Sequence, residues 1–192
     1  RGEQRQRRHV VPQLAALAPD VVVHLGTTSK ILTPMLGVGW MAAPAPVAAA
    51  VCAHRSAAGV QPAPAGQRVF AEFAASGDLS RHLRRVRREL LARRDLLVDA
   101  LGTTGLPVSG EQAGAHLVVR LPSAQHEQCV VHQAPRRGLL LDGLARCHIA
   151  GSGRHGVTVG YAALSSRALL AAMLPRLTDL LMVHPGEAGR RG

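Results

Sequence analysis

The chain has 192 residues and a formal net charge of +11, and 47% of its residues are hydrophobic while only 2% are aromatic. This composition excludes an intrinsically disordered chain, because disordered chains lack the apolar residues that form a core. Lys30 is the only lysine among the 23 Lys and Arg residues. A lone amine in so arginine-rich a chain points to a task that guanidinium cannot perform, and nucleophilic amine chemistry is one such task.

The cysteines and the first residues exclude other classes. Cys52, Cys129 and Cys147 form no CxxC pair, and His126 and His132 flank Cys129 without a second ligand pair, which is weak evidence for zinc. The first nine residues are basic without an apolar signal core, and no later run approaches the ~18 apolar residues of a membrane span. We expect a cytoplasmic protein without membrane contact.

Two strands are predicted around the lysine. Residues 20–26, Asp-Val-Val-Val-His-Leu-Gly, contain a run of β-branched valines and follow Pro19. This pattern predicts a buried strand of a parallel sheet. Thr-Thr-Ser-Lys follows directly at residues 27–30, and residues 36–41 predict a second strand whose glycines allow close backbone approach. The loop that carries the lysine would therefore be held at both ends.

Helices are predicted next in the chain. Residues 45–58 and 67–75 are alanine-rich helix candidates, separated by a stretch rich in Gly and Pro. From Asp78, a predicted N-cap, apolar residues recur at helical spacing and indicate a long amphipathic helix to about Leu101. These apolar positions are Leu83, Val86, Leu90, Leu97 and Leu101.

Beyond Gly102 short strands alternate with helices, which predicts an α/β layer. The predicted strands are 115–121, 139–141 and 157–161, and the predicted helices are 124–133 and 166–182. Pro175 lies inside the last helix, where proline costs about 3 kcal/mol or forces a kink. Residues 186–192 are predicted to be disordered.

Seven arginines on the predicted long helix allow two interpretations. A basic stripe could bind nucleic acid phosphates, but these arginines surround the whole non-core face and two acidic residues interrupt them. A solvated helix face is the preferred interpretation. The arginines are Arg81, Arg84, Arg85, Arg87, Arg88, Arg93 and Arg94. The histidines form no HxxxH or HExxH pattern, so His24 and His116 are expected to be packed or half-exposed on strands, and Trp40 is expected to pack in a core.

The residues around Lys30 combine two kinds of chemistry. Hydroxyl and amide donors next to a strand end can hold a phosphate, and an amine can bond covalently to an aldehyde. Pyridoxal phosphate needs both. An exposed loop lysine without chemistry is the alternative.

Residues 25–44, Leu-Gly-Thr-Thr-Ser-Lys-Ile-Leu-Thr-Pro-Met-Leu-Gly-Val-Gly-Trp-Met-Ala-Ala-Pro, resemble the cofactor-lysine segment of fold-type I aminotransferases. They are most similar to the aminotransferase-like domain of the MocR subgroup of GntR-family transcriptional regulators. Segments 70–87, 113–122, 142–146 and 159–165 agree in the same order, so the resemblance spans about 11–182. It implies an α/β fold, with the C-terminal portion of the large domain at 1–76 and a connecting helix and small α/β domain at 77–185.

By this resemblance, Lys30 binds pyridoxal 5'-phosphate covalently and is the catalytic residue, and Thr27 and Ser29 lie near the cofactor phosphate. The family's phosphate-binding arginine, seven residues after the lysine, is replaced by Gly37. Arg154 is a weak substitute for the arginine that binds the substrate carboxylate.

The rest of the family's site is expected upstream. The aspartate that pairs with the pyridine nitrogen has no counterpart in residues 1–9, and the stacking aromatic residue and the asparagine would lie earlier still. We therefore expect a truncated form with an incomplete site. A sheet that lacks its early strands would also expose an edge and an apolar face, which favours poor solubility or self-association.

Two functions remain open. In the first, the chain is a pyridoxal-phosphate-binding domain of the aminotransferase class I/II type, with an amino acid or amine as substrate or effector. Alternatively, it is a non-catalytic effector-sensing or dimerisation part of a GntR/MocR-type regulator, or an inactive fragment. The resemblance also implies a homodimer, and it assigns DNA binding to a separate N-terminal domain, so no direct nucleic-acid contact is expected.

Overall fold

The computed structural model describes residues 13–30, 32–110, 114–147, 153–163 and 165–183. The chain divides into two compact units, unit 1 over Arg1–Leu83 and unit 2 over Arg84–Gly192. The boundary falls within a long helix. The predicted disordered tail at 186–192 lies outside the described residues, and the assignment of 1–76 and 77–185 to the large and small domains stays a prediction.

The described part of unit 1 contains a short antiparallel hairpin and three helices besides the start of the long one. Its elements are α1 Leu14–Leu17, β1 His24–Thr27, a 3₁₀ turn Pro34–Leu36, β2 Gly39–Ala42, α2 Ala45–Ala57 and α3 Pro64–Ala75. The predicted helices at 45–58 and 67–75 are confirmed, and α3 begins three residues earlier because Pro64 suits the first helical position.

The prediction of a buried strand in a parallel sheet is wrong. β1 pairs with β2 in antiparallel register, from His24 opposite Ala42 to Thr27 opposite Gly39. The loop between them is too short for the crossover helix that parallel neighbours need. Leu25 on β1 is 71% exposed, so the strand is not buried either.

Unit 1 exposes its apolar residues. Among its described residues only Thr28 is buried. Large apolar side chains that are at least two-fifths exposed include Leu14, Leu17, Val21, Val23, Leu25, Met35, Trp40, Val47, Val60 and Val69. This agrees with the expected exposed apolar face.

Unit 2 is built on a four-stranded antiparallel sheet in the order β3-β4-β6-β5. The strands are β3 Val108–Ser109, β4 His116–Leu121, β5 Asp142–Gly143 and β6 His155–Gly160. The strands predicted at 115–121 and 157–161 are confirmed within two residues. The predicted strand at 139–141 is wrong, because Leu139 donates its N–H to Ala134 O in a turn and the pairing with β6 starts at Asp142.

The helices α4 Asp78–Gly102, α5 Ala124–Gln133 and α6 Arg167–Leu181 match their predicted positions. Ser123 and Ser166 cap α5 and α6 by accepting N–H groups from His126 and Leu169. Asp78 is the first residue of α4 rather than its N-cap. Pro175 is accommodated inside α6, where the Thr178 hydroxyl donates to backbone carbonyls of the same turn.

The hydrophobic core lies in unit 2, between one face of the sheet and these helices. Its buried members come from all three helices and from β4 and β6. They are Leu97, Leu101, Leu117, Val119, Leu121, Val130, Ala134, Leu141, Val157, Val159, Tyr161, Leu170, Leu177, Leu180 and Leu181. In the part of the chain that the structure describes, no helix combines the length and hydropathy that crossing a bilayer requires.

The solvated-face interpretation of the seven α4 arginines holds for the five that are exposed, Arg94 is half-buried, and the interpretation is wrong for Arg93. Arg93 is 7% exposed. Its Nε donates to Glu89 Oε1 at 2.9 Å, and its Nη1 donates to the carbonyls of Tyr161 and Ala162 at 3.3 Å. Glu89 also pairs with Arg167 at 3.2 Å. Arg93 therefore ties α4 to the end of β6 because a buried guanidinium requires such partners.

Candidate functional site

The site is the lysine loop, which we define as residues 28–38 between β1 and β2. Thr28 follows β1 directly and is fully buried. Its backbone N–H and its hydroxyl both donate to Val38 O, each at 3.0 Å. Because Val38 immediately precedes β2, these two bonds close the loop at its base. The prediction that the loop is held at both ends is confirmed.

The hydroxyl groups of Thr27 and Ser29 lie together on the other side of this closure. Thr27 Oγ1 donates to Ser29 Oγ at 3.0 Å and accepts the Ser29 N–H at 3.1 Å. Thr28 lies between these two residues in the sequence, and its side chain is buried. The Ser29 hydroxyl hydrogen is not used in these bonds, so the pair retains one donor.

Lys30 is exposed at the turn that follows. Leu32 donates its N–H to Thr28 O at 2.8 Å, so the backbone turns tightly around the lysine. Among the described residues, no hydrogen-bond or ion-pair partner lies at its ammonium group. The side chain is therefore available to react or to bind an external group.

Two contacts support the hairpin and the loop. The indole of Trp40 lies over Gly26, where any Cβ would overlap it. It also stacks on Phe70 of α3, with ring centroids 6.3 Å apart and planes 13° apart. Trp40 is 43% exposed, so its expected role in a buried core is wrong. It covers the strand that leads into the lysine loop, and α3 holds it there.

Gly37 has a conformation that disfavours other residues. It ends the 3₁₀ turn Pro34–Leu36 with φ 59 and ψ 24, which is the left-handed region. The turn begins at Thr33, whose hydroxyl accepts the Met35 N–H. An arginine at residue 37 would be strained in this loop, so the missing guanidinium agrees with the local backbone.

Arg154 belongs to unit 2, where it is exposed immediately before β6. The structure brings Thr27, Ser29 and Lys30 together within one short segment at the end of β1. Arg154 is on a different unit.

Neither the cysteines nor the histidines form a metal site within the described ranges. His126 is buried and its Nε2 bonds Leu181 O at 3.0 Å. Cys129 accepts a hydrogen bond from the Gln133 amide. In these contacts His126 links α5 to α6, and Cys129 takes part in a bond within α5.

Sequence reasoning missed Glu127, the only buried carboxylate among the described residues of unit 2. It is 4% exposed. Its Oε1 accepts the Ala145 N–H at 2.8 Å and its Oε2 accepts the Gly156 N–H at 2.7 Å. Gly143 on β5 packs so closely that a Cβ there would overlap the carboxylate. A Glu in a helix with two partners far along the chain leaves no local signal.

Comparison with known proteins places the chain in a family. The model for "Aminotransferase class I and II" matches residues 3–171. The chain is 32% identical over 155 residues to the HTH-type pyridoxine biosynthesis transcriptional regulator PdxR of Corynebacterium glutamicum. This match covers 79% of this chain and 33% of the regulator. The chain is 28% identical over 173 residues to the probable rhizopine catabolism regulatory protein MocR of Rhizobium meliloti, covering 88% of this chain and 35% of that protein.

A solved structure agrees on the fold. LysN, the α-aminoadipate aminotransferase of Thermus thermophilus, superposes with a TM-score of 0.73 at 23% identity, covering 88% of this chain and 44% of LysN. The chain thus spans about a third of the regulators and less than half of the enzyme. The predicted resemblance and fold class are confirmed: the chain belongs to the aminotransferase class I and II family, and its relatives include MocR-type and PdxR-type regulators.

Proposed function

We propose that this chain is part of a pyridoxal-phosphate-binding domain and that Lys30 is its point of covalent attachment. The observation that carries the proposal is the position of the only lysine. It is exposed and without a partner among the described residues, beside the paired hydroxyls of Thr27 and Ser29, on a loop closed by Thr28. The structure of LysN, a fold relative, contains a phosphopyridoxyl group.

The described residues fit this cofactor in part. Lys30 supplies the amine that an aldehyde requires, and Thr27 and Ser29 supply neutral donors for a phosphate. Gly37 supplies no guanidinium, so the phosphate would lack a bidentate cationic partner. When bound, the cofactor supplies an electron sink for amino acid chemistry. In this chain, Thr28 fixes the loop backbone and Trp40 covers the adjoining strand.

We favour a sensing role over complete transamination. The similarity to the regulators named above supports this role. Gly37 supports it as well, because its left-handed backbone disfavours the arginine that would complete the phosphate-binding site. The effector would be an amino acid or an amine, with Arg154 as the weak candidate for its carboxylate. The same proposal includes a homodimer, a cytoplasmic location and no direct nucleic-acid contact by residues 1–192. A catalytically active aminotransferase is the second candidate, favoured by the family match.

The proposal can be tested by titrating the chain with pyridoxal phosphate and recording its visible absorption. Trp40 is the only tryptophan, and it lies over the strand that enters the lysine loop, so its fluorescence should be quenched as the cofactor binds. Lys30→Ala should abolish the absorption band of the bound cofactor.

Thr27→Val with Ser29→Ala should keep that band but weaken cofactor affinity by about a hundredfold or more, because two charge-assisted bonds to phosphate are lost and each contributes roughly 1.5–3 kcal/mol. Thr33→Val, which changes a hydroxyl that only caps the 3₁₀ turn, is the matched control. The same band in wild type and Lys30→Ala would contradict the proposal. Adding amino acids to the loaded chain then separates the two roles. A spectral change with release of a keto acid supports the enzyme, and a spectral change without it supports the sensor.

A further inference from the structure

A basic depression in unit 2 has no place in the function proposed above. It encloses about 500 Å³ and is lined by Arg136, Arg137, Gly138, Arg176 and Asp179. Three arginines thus line the same open cavity. We name this feature the arginine depression.

The backbone of the depression is held in place. Arg136 and Arg137 belong to the 3₁₀ turn Pro135–Arg137, in which Pro135 restricts the chain and Gly138 ends the turn with φ 71. Three backbone bonds of 2.9–3.0 Å, accepted by Ala134 and Pro135, close this turn. Ala134 itself is buried in the core. The two arginines therefore project from a rigid base.

Arg176 is positioned by a second element. It lies on α6 next to the buried Leu177, so core packing fixes its place on the helix. Its Nη1 would lie 3.8 Å from a Cβ at Gly138. The Arg176 side chain therefore lies against the turn that carries the other two arginines.

No carboxylate of a described residue neutralises the three arginines of the depression. Arg93, Arg146 and Arg167 each pair with a carboxylate at 3.2 Å or less. For the arginines of the depression, no carboxylate oxygen of a described residue lies within 4.0 Å, not even that of Asp179. Like charges held together without a counter-charge attract an anion, and guanidinium binds phosphate through paired N–H donors.

Asp179 adds a carboxylate group to the arginines that line the depression. It lies three residues after Arg176, on the same face of α6, and contributes only acceptors to the cavity lining. A carboxylate repels the continuous phosphates of a nucleic acid strand but accepts hydrogen bonds from a hydroxyl group. We propose that the arginine depression binds a small hydroxylated phosphate monoester, with the phosphate at the arginines and a hydroxyl at Asp179.

The experiment is isothermal titration calorimetry of the whole chain with two probes. Glycerol 3-phosphate has the required hydroxyls and carries no carbonyl that could react with Lys30. Methyl phosphate has the charge without the hydroxyls. We expect saturable binding of glycerol 3-phosphate, weakened about tenfold in Arg176→Gln because one charged donor is lost. Arg88→Gln, which removes an exposed arginine of α4, should leave the affinity unchanged.

Asp179→Asn distinguishes the two ends of the ligand. It should reduce the preference for glycerol 3-phosphate over methyl phosphate and leave methyl phosphate binding equal or tighter, because repulsion is removed. Three results would each overturn the proposal: no saturable binding of either probe, equal losses in Arg176→Gln and Arg88→Gln, or displacement of the probe by duplex DNA at a lower concentration than by glycerol 3-phosphate. Circular dichroism of each variant confirms that it is folded.

Discussion

Replacement of Glu127 by alanine should strongly destabilise unit 2. The carboxylate is buried and accepts two backbone N–H groups, from Ala145 at 2.8 Å and from Gly156 at 2.7 Å. Alanine leaves both donors buried without a partner, and each costs about 1–3 kcal/mol. Removing the buried charge returns part of this, so the net loss in the free energy of unfolding should be about 2–4 kcal/mol.

The assay is urea denaturation followed by far-ultraviolet circular dichroism, together with hydrogen exchange of the two amides. Tryptophan fluorescence is unsuitable, because Trp40 lies in unit 1. Glu127→Gln retains one acceptor and should lose about half as much stability as the alanine variant. Gln128→Ala, an exposed neighbour on the same helix, is the matched control and should change stability by less than about 0.5 kcal/mol.

Two results would refute this reasoning. If Glu127→Ala and Gln128→Ala had the same unfolding midpoint, the carboxylate would not connect α5 to β6 and to the turn at Ala145. Unchanged exchange protection of the Ala145 and Gly156 amides in Glu127→Ala would refute it independently of global stability.

Three further predictions concern other parts of the chain. Burial raises the pKa of Tyr161, although the Arg94 charge opposes this. The stability that Tyr161 contributes is therefore complete below about pH 10 and is lost as the pH rises through the folded-state pKa. Tyrosinate absorbance measures this pKa directly, since Tyr161 is the only tyrosine, and a titration midpoint below about 10 would contradict the prediction. Gly26→Ala should displace the Trp40 indole and shift its emission to the red, whereas Gly102→Ala, which meets no atom within 4 Å, should not. The apolar side chains exposed on unit 1 should cause self-association, which sedimentation velocity would show as concentration-dependent species; a monodisperse monomer at all concentrations would be the opposite result.

Local signals predicted the helices well. The apolar spacing of α4 and the serines that precede α5 and α6 act within one or two turns, so the sequence contains all of the required information. Strand direction depends on a partner elsewhere in the chain. A β-branched run such as residues 20–26 has the same pattern in a buried parallel strand and in this exposed antiparallel hairpin, and only the partner distinguishes them.

The part of the site that could be predicted from the sequence is the part that contains a rare residue type. Lys30 is conspicuous as the only lysine, and the hydroxyls beside it are adjacent in sequence. Thr28 and Glu127 were missed because their partners are 10, 18 and 29 residues away. Arg93 was misassigned to the solvated face for the same reason, since its carbonyl partners lie 68 and 69 residues along the chain.

The central claim is that Lys30 is the covalent attachment point of pyridoxal phosphate. The most direct measurement is incubation with the cofactor, reduction with borohydride, which converts the labile linkage to a stable secondary amine, and peptide mapping by mass spectrometry. Mapping separates the peptide that contains Lys30 from the α-amino group at Arg1. We predict a phosphopyridoxyl group on Lys30, absent in Lys30→Ala and retained in Arg154→Ala. Modification of the α-amino group alone, with Lys30 unmodified in the folded chain, would contradict the account.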